Sequence, residues 1–275
     1  MSTAVGEKKE FNYSASDFEA VRSKLKSIAG INLVDSKDSM VYSRLARRIR
    51  KLNLSNFTEY LNYVDKHAEE HEEFVNALTT NLTSFFREKH HFEFLKTYLQ
   101  EKNGPVKIWC SASSTGEEPY SIAMTAVNAF NSFKNPVSIV ASDIDSNVLD
   151  TASKGVYQLK NLDDLQASVK KRFFQRGTGS NSGLARVVPE LRKMIDFRKL
   201  NLMDNQFDLS TDFDVVFCRN VMIYFDKKTQ ADILRKILRH VKRDGVYIAG
   251  HSENFSHVAE LLAPQGQTIY KIKGR

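Results

Sequence analysis

Two carboxylates stand where a nucleotide-binding loop would receive phosphate. The apolar run Val106-Lys107-Ile108-Trp109-Cys110 leads into Ala112-Ser113-Ser114-Thr115-Gly116-Glu117-Glu118-Pro119-Tyr120-Ser121, which reads as a strand, a turn and a helix start. A dinucleotide loop uses GxGxxG so that bare backbone can approach a pyrophosphate at a helix N-terminus. Here the turn has one glycine, Gly116, and Glu117 and Glu118 would repel an anion. A ligand with an ammonium, a sulfonium and an adenosine but no phosphate suits that charge, and S-adenosylmethionine is such a molecule.

The next strand-like run, Val137 to Asp143, ends in an acceptor of the kind that ribose hydroxyls need at a strand end. Each acid has a plainer reading. Carboxylates are favourable in the first turn of any helix, and Asp is common in strand-end turns. The order of all three acids along the chain is what points to a nucleoside ligand.

These acids need a frame to position them. From Val106 onward, short β-rich runs alternate with helical patterns: VKIWC, a helix from about Glu118, VSIVASDID, IDFRKLN, FDVVFCRN, a helix near Lys228 to Val241, GVYIAG and TIYKIK. That alternation predicts an α/β, doubly wound and mostly parallel sheet covered on both faces, with ligands beyond the carboxyl ends of its strands. Some 40 residues between the helix near Val148 and the strand at Ile195 exceed an ordinary connection. Within them RFFQR and LARVV flank Gly177-Thr178-Gly179-Ser180-Asn181-Ser182-Gly183, which predicts an inserted antiparallel hairpin over about 157–193.

Before this frame, helical spacing recurs in Phe18, Val21, Leu25 and Ile28, with Gly30 as a stop, and in Val41, Leu45, Ile49 and Leu52. Two further patterns are Phe57, Tyr60, Leu61, Val64 and Phe74, Val75, Leu78. Residues 1–85 therefore read as a small all-helical domain and 86–275 as the ligand-binding domain. On the second helix Arg44, Arg47, Arg48 and Lys51 share a face opposite Leu45, Ile49 and Leu52. Such a stripe is either a solvated face or a docking surface for an acidic partner.

The 275 residues can bury a sizeable core, and 41% hydrophobic with 27% charged is the composition of a soluble globular chain. No run approaches the roughly 18 apolar residues of a membrane span. The polar start Met1 to Glu10 lacks the apolar core of a signal peptide, so the cytoplasm is the expected compartment. Cys110 and Cys218 make no disulfide framework and read as small buried residues. A net charge of +7 raises nucleic acid or an acidic protein as partner without choosing between them.

Five stretches make the resemblance specific: NLTSFFRE at 81–88, STGEEPYSIA at 114–123, ASDID at 141–145, FCRNVMIYFD at 217–226 and GHSENF at 250–255. In this order they resemble the signatures of the CheR family, S-adenosylmethionine-dependent protein-glutamate O-methyltransferases of bacterial chemotaxis receptors. The similarity runs from the helical N-terminus to about Ile272. It implies a Rossmann-like class I methyltransferase sheet, S-adenosylhomocysteine as product and no metal. It further implies that Asn81, Thr83 and Arg87 line the cofactor cleft, that Glu118 meets the methionine end and that Asp143 holds the ribose. Asn201 and Leu202 would lie on the adenine side, and Arg219 with Asn220 would close the site.

The resemblance also sets Arg87 and Tyr224 beside the transferred methyl. A receptor glutamate, with an ordinary pKa of about 4.3, is already an anion at neutral pH and needs no general base. Transfer then depends on alignment and exclusion of water. His251 reads as structural. Two docking elements follow: the stripe Arg44, Arg47, Arg48 and Lys51 for the receptor's methylation region, and the edge of the Gly177, Gly179, Gly183 hairpin for a receptor's C-terminal tail peptide. The expected state is a cytoplasmic monomer recruited to membrane receptor arrays, with no membrane insertion and no nucleic acid. Rival readings are a nucleic-acid methyltransferase, for which no Asn-Pro-Pro-Tyr or Asp-Pro-Pro-Tyr motif is present, and a non-catalytic cofactor-binding scaffold.

Overall fold

The computed structural model describes residues 10–273. The polar start therefore lies outside the described residues except for Glu10. The chain divides between Thr80 and Asn81 into two compact units, so the stretch Asn81–Glu88 belongs wholly to the second.

The first unit is helical: α1 (Ala15–Ala29), α2 (Asp38–Lys51), α3 (Phe57–Lys66) and α4 (Ala68–Leu78). A capping box of Ser14 and Asp17 opens α1, and Gly30, left-handed at φ 70, ends it. The apolar stripes Phe18, Val21, Leu25 and Val41, Leu45, Ile49 are buried, as are Phe57, Tyr60, Val64, Phe74, Val75 and Leu78.

The basic stripe on α2 is not one open surface. Arg48 donates to both oxygens of Glu70, at 3.0 and 2.6 Å, and pairs with Glu73 at 2.8 Å. Glu70, nearly buried, also takes the Tyr60 hydroxyl at 2.9 Å. Arg44 donates to the carbonyls of Ala77, at 3.2 Å, and Thr79, at 2.5 Å. These two cations tie α2 to α4 and to the residue that caps it, which leaves Arg47 and Lys51 exposed.

The second unit contains α5 (His90–Glu101), β1 (Val106–Cys110), α6 (Glu117–Phe130), β2 (Val137–Asp143), α7 (Ser146–Lys154), β3 (Val156–Gln158), α8 (Ala167–Phe173), β4 (Phe174–Arg176) and β5 (Leu184–Val187). It continues with α9 (Pro189–Arg192), β6 (Ile195–Lys199), β7 (Phe213–Cys218), α10 (Lys227–Leu238), β8 (Val241–Ala249), β9 (Leu262–Gly266) and β10 (Ile269–Ile272). The large sheet runs β6-β2-β1-β7-β8-β10-β9. Its first five strands are parallel, and β10 pairs antiparallel with both β8 and β9. Side chains alternate across the strands: Ile108, Cys110, Val215 and Phe217 join one core cluster with α5 and α6. Trp109, also fully buried, packs against Phe207 and Phe213 instead, so both faces are covered.

Two expectations change in detail. The helix near Lys228 stops at Leu238, and Val241 opens β8, pairing with Phe213 before a bulge. Gly245 sits at that irregularity, where a Cβ would lie 2.6 Å from Val241 Cγ1. The insertion is a three-stranded sheet, β3-β5-β4, rather than a lone hairpin. LARVV is its middle strand, because β3 pairs with it on the side away from β4, so the edges belong to β3 and β4. In the turn, Gly177 has no room for a side chain, since a Cβ would lie 2.2 Å from the Asn181 carbonyl. Gly179 and Gly183 take φ 58 and φ 89.

Candidate active site

Strands β2, β1 and β7 end in step, with Cys110 opposite Ala141 on one side and Phe217 on the other. The chain winds outward from β1 to β2 and later returns to β7 on the opposite flank. The carboxyl edge between them is therefore the point where winding reverses, where such sheets hold ligands.

The loop after β1 turns through left-handed Ser114 (φ 46) and Gly116 (φ 100). A Cβ on Gly116 would lie 2.8 Å from the Tyr157 hydroxyl, so this glycine serves close packing. Ser114 N–H donates to Asp143 Oδ2 at 2.8 Å, and Asp145 N–H to Asp143 Oδ1 at 3.1 Å. Burial raises the Asp143 carboxyl to about 6, against these N–H donors, which hold it down. Asn81 joins the same corner: its side-chain amide donates to Asp145 at 2.9 Å and its carbonyl accepts the Ser114 hydroxyl at 3.0 Å. Asp145 in turn caps α7. Leu200 N–H donates to the Asp143 carbonyl at 2.9 Å, which brings Asn201 and Leu202 next to the end of β2.

Glu118, in the first turn of α6, accepts from Arg219 Nη1 at 2.5 Å and from the Cys110 thiol at 3.2 Å. Glu117 is buried beside Thr115, whose hydroxyl donates to it at 2.7 Å, and burial raises its carboxyl. Arg219 has a fully buried side chain and binds three segments together. Besides Glu118 it reaches the Arg87 carbonyl at 2.5 Å and Glu88 at 3.2 Å. Burial opposes its charge, but the two carboxylates outweigh that and raise its pKa.

Glu88 also accepts from Asn220 Nδ2 at 3.3 Å and His251 N–H at 3.1 Å. Burial would raise its carboxyl, but Arg219 and these donors hold it below the usual range. Three non-glycine residues here are left-handed: Phe86 (φ 54), Glu88 (φ 60) and Asn220 (φ 58). Conformations of that kind persist only where surrounding contacts fix them. Arg87 is 38% exposed and donates to the Leu82 carbonyl at 3.1 Å. Thr83 is half-buried on the same segment, and Tyr224, half-buried, ends the short turn Met222–Tyr224.

The edge thus gathers two bonded groups: Asn81, Ser114, Asp143 and Asp145 at the end of β2, and Glu118, Arg219, Glu88 and Asn220 with the Arg87 carbonyl at the ends of β1 and β7. The cations of α2 and the glycines of the small sheet belong elsewhere in the chain. Glu88, Asp145 and Cys110 are parts of these groups that reading by motif did not assign to the site, although each lies in or beside a stretch quoted above. Carboxylates here face donors and a cation, and no glycine-lined phosphate cradle is present at the loop, which fits a cationic nucleoside ligand. Glu88, His90 and His91 place potential ligand atoms within 4.8 Å of one another. A metal ion there would meet the Arg219 guanidinium, which already occupies Glu88.

Comparison with known proteins agrees over both units. Residues 16–79 match the CheR methyltransferase all-alpha domain, and 81–271 match the CheR methyltransferase SAM binding domain. The chain is 51% identical over 264 residues to chemotaxis protein methyltransferase 2 of Pseudomonas aeruginosa, covering 95% of this chain and 94% of that protein. It is 45% identical over 261 residues to the chemotaxis protein methyltransferase of Escherichia coli, covering 94% and 91%. Among solved structures, a TehB-like SAM-dependent methyltransferase from Corynebacterium glutamicum has a TM-score of 0.40 at 14% identity, over 77% of this chain and 99% of that one.

Proposed function

The chain belongs to the CheR methyltransferase family, and from that premise we propose that it methylates glutamate side chains of chemotaxis receptors, using S-adenosylmethionine and giving glutamate methyl esters. The observation that carries this reading is the pair of acids at adjacent strand ends, Asp143 closing β2 and Glu118 after β1, beside a loop without a glycine-lined phosphate cradle. When bound, S-adenosylmethionine supplies an electrophilic sulfonium methyl.

The roles of this chain's residues follow from charge and place. Asp143 accepts from the ribose hydroxyls, and Glu118 balances the cationic methionine end while remaining close to Arg219. Asn81 and Thr83 border the cleft, and Asn201 and Leu202 border the adenine. Arg87, half exposed on the segment that Arg219 holds, orients the incoming carboxylate by charge-assisted hydrogen bonds, and the Tyr224 hydroxyl assists it. Neither group moves a proton, because the acceptor arrives ionised. Arg219 and Asn220 keep these segments in place.

The partner is the cytoplasmic part of a receptor, which would draw a cytoplasmic enzyme to receptor arrays. Among the described residues no helix is long and apolar enough to cross a membrane. Arg47 and Lys51 offer exposed positive charge to acidic receptor helices, and an outer edge of the small sheet can accept a tail peptide as an added strand. The deciding experiment is transfer of labelled methyl to purified receptor cytoplasmic domains, with RNA in parallel. Base-labile label on receptor glutamates is expected. Label on RNA alone would refute the reading, and binding of cofactor without any transfer would favour a scaffold.

A further inference from the structure

The loops that follow β7 and β8 lie side by side, because Cys218 stands opposite Ala249 in the sheet. The carboxylate of Glu253, 5% exposed, sits between them. Its Oε1 accepts from the N–H groups of Val221 at 3.0 Å and Met222 at 2.7 Å, and its Oε2 from Gly250 N–H at 2.5 Å. One side chain therefore satisfies three backbone donors from two loops. Asn220, immediately before them, is left-handed at φ 58 and pressed against Gly250. A Cβ on residue 250 would lie 2.4 Å from Asn220 Nδ2 and 2.8 Å from its backbone nitrogen. Gly250 leaves the space and Glu253 pins the two peptides that follow.

We infer that Glu253 is a positioning residue for methyl transfer, holding through the N–H groups of Val221 and Met222 the loop that runs from Arg219 and Asn220 to Tyr224. Because it assigns a task to that loop, the inference rests on the function proposed above. Arg219 is anchored independently by Glu118 and Glu88, and Gln230 Nε2 donates to the carbonyls of Met222 and Phe225 at 2.8 and 3.0 Å, so what Glu253 holds is the amide side of the stretch leading to Tyr224. Burial raises the Glu253 carboxyl to about 7, against the backbone N–H donors, which hold it down. In its ionised form both oxygens accept, whereas the amide of glutamine would turn an NH2 group toward a backbone N–H and leave a buried donor without a partner.

The test uses the full chain with Glu253→Gln and, separately, Gly250→Ala, which disturbs Asn220 from the other side without a change of charge. In both, kcat for methyl transfer to a receptor domain should fall about tenfold or more, as expected for losing one buried hydrogen bond. KM for S-adenosylmethionine should stay within about threefold, since Asp143 and Glu118 stand on other elements, β2 and α6. Hydrogen exchange at the Val221 and Met222 amides should quicken. Unchanged kcat with unchanged exchange would overturn the inference. So would kcat and KM worsening together in proportion, the sign of general loosening. If Glu253→Gln does not fold, Gly250→Ala carries the same prediction. If the wild type transfers no methyl to receptor, the function proposed above fails, and the exchange measurement still decides whether Glu253 holds the loop.

Discussion

Arg219 and Glu118 form a buried ion pair, Nη1 to Oε2 2.5 Å, that joins the end of β7 to the first turn of α6. Glu88 reaches the same guanidinium at 3.2 Å from the segment that carries Arg87. The pair therefore fixes where three separate stretches of sequence meet. A charge so placed is costly to orphan, because its partner stays in a medium that solvates it poorly.

Replacing Arg219 by methionine should leave Glu118 and Glu88 without their shared cation and destabilise the second unit by about 3–5 kcal/mol. Urea unfolding would measure this. A variant as stable as wild type would mean that the cation is not needed there, against the Glu88 carboxyl that Arg219 holds below the usual range.

Asp143 predicts the pH dependence of ligand binding. Its carboxyl is raised by burial to about 6, so lowering the pH through that value protonates the acceptor that ribose hydroxyls need. Affinity for S-adenosylhomocysteine, followed by calorimetry, should fall as pH drops through about 6. Asp143→Asn should weaken binding and flatten that dependence. Folding carries the opposite sign. A carboxyl raised in the folded state gives stability that is fully present below its unfolded value of about 3.9 and is lost as pH rises through the folded one.

Charge at position 118 should matter by sign. Glu118→Gln is expected to weaken S-adenosylmethionine binding less than Glu118→Lys, which puts a cation next to both the ligand's cationic end and Arg219. Equal losses in a titration would show that the carboxylate acts by shape alone.

Arg87→Ala and Tyr224→Phe should leave the fold intact and lower turnover. Losing one hydrogen bond to an anion costs about 1.5–3 kcal/mol, roughly ten- to a hundredfold in rate. Wild-type rates in both variants would return these residues to a packing role.

The cations of α2 should separate into two kinds. Arg48→Ala breaks the pair with Glu70, whose side chain is 4% exposed, and should destabilise the helical unit by about 3–5 kcal/mol. Arg47→Glu with Lys51→Glu should leave melting unchanged, slow association with receptor domains and weaken its salt dependence. Surface plasmon resonance at two ionic strengths checks the second claim, and unchanged association rates would remove the stripe from receptor recognition.

By itself the sequence determined the classes of structure and the character of the ligand. Apolar residues repeating at helical spacing up to Leu78, then short β-rich runs between helices, fix which faces are buried, since that periodicity is a local property of the chain. The acids Glu118 and Asp143 were legible because their place after a strand gives them meaning before any contact is known. The helix His90–Glu101 carries no motif that marks it, although Phe92, Leu95 and Leu99 are buried at helical spacing. Tertiary structure decided the partners. A helical wheel puts Arg44, Arg47, Arg48 and Lys51 on one face, yet only the approach of α4, with Glu70 22 residues further along the chain, makes Arg48 internal and leaves Arg47 in water. The third strand of the inserted sheet, Val156–Gln158, is too short to announce itself and exists because β5 offers it an edge. Glu88 and Glu253 lie in stretches marked by family resemblance, but their tasks depend on Arg219 and on the amides of Val221 and Met222, residues 131 and 32 positions away or less. Side-chain type and spacing are written locally, whereas a buried charge acquires its function from whatever the fold places against it.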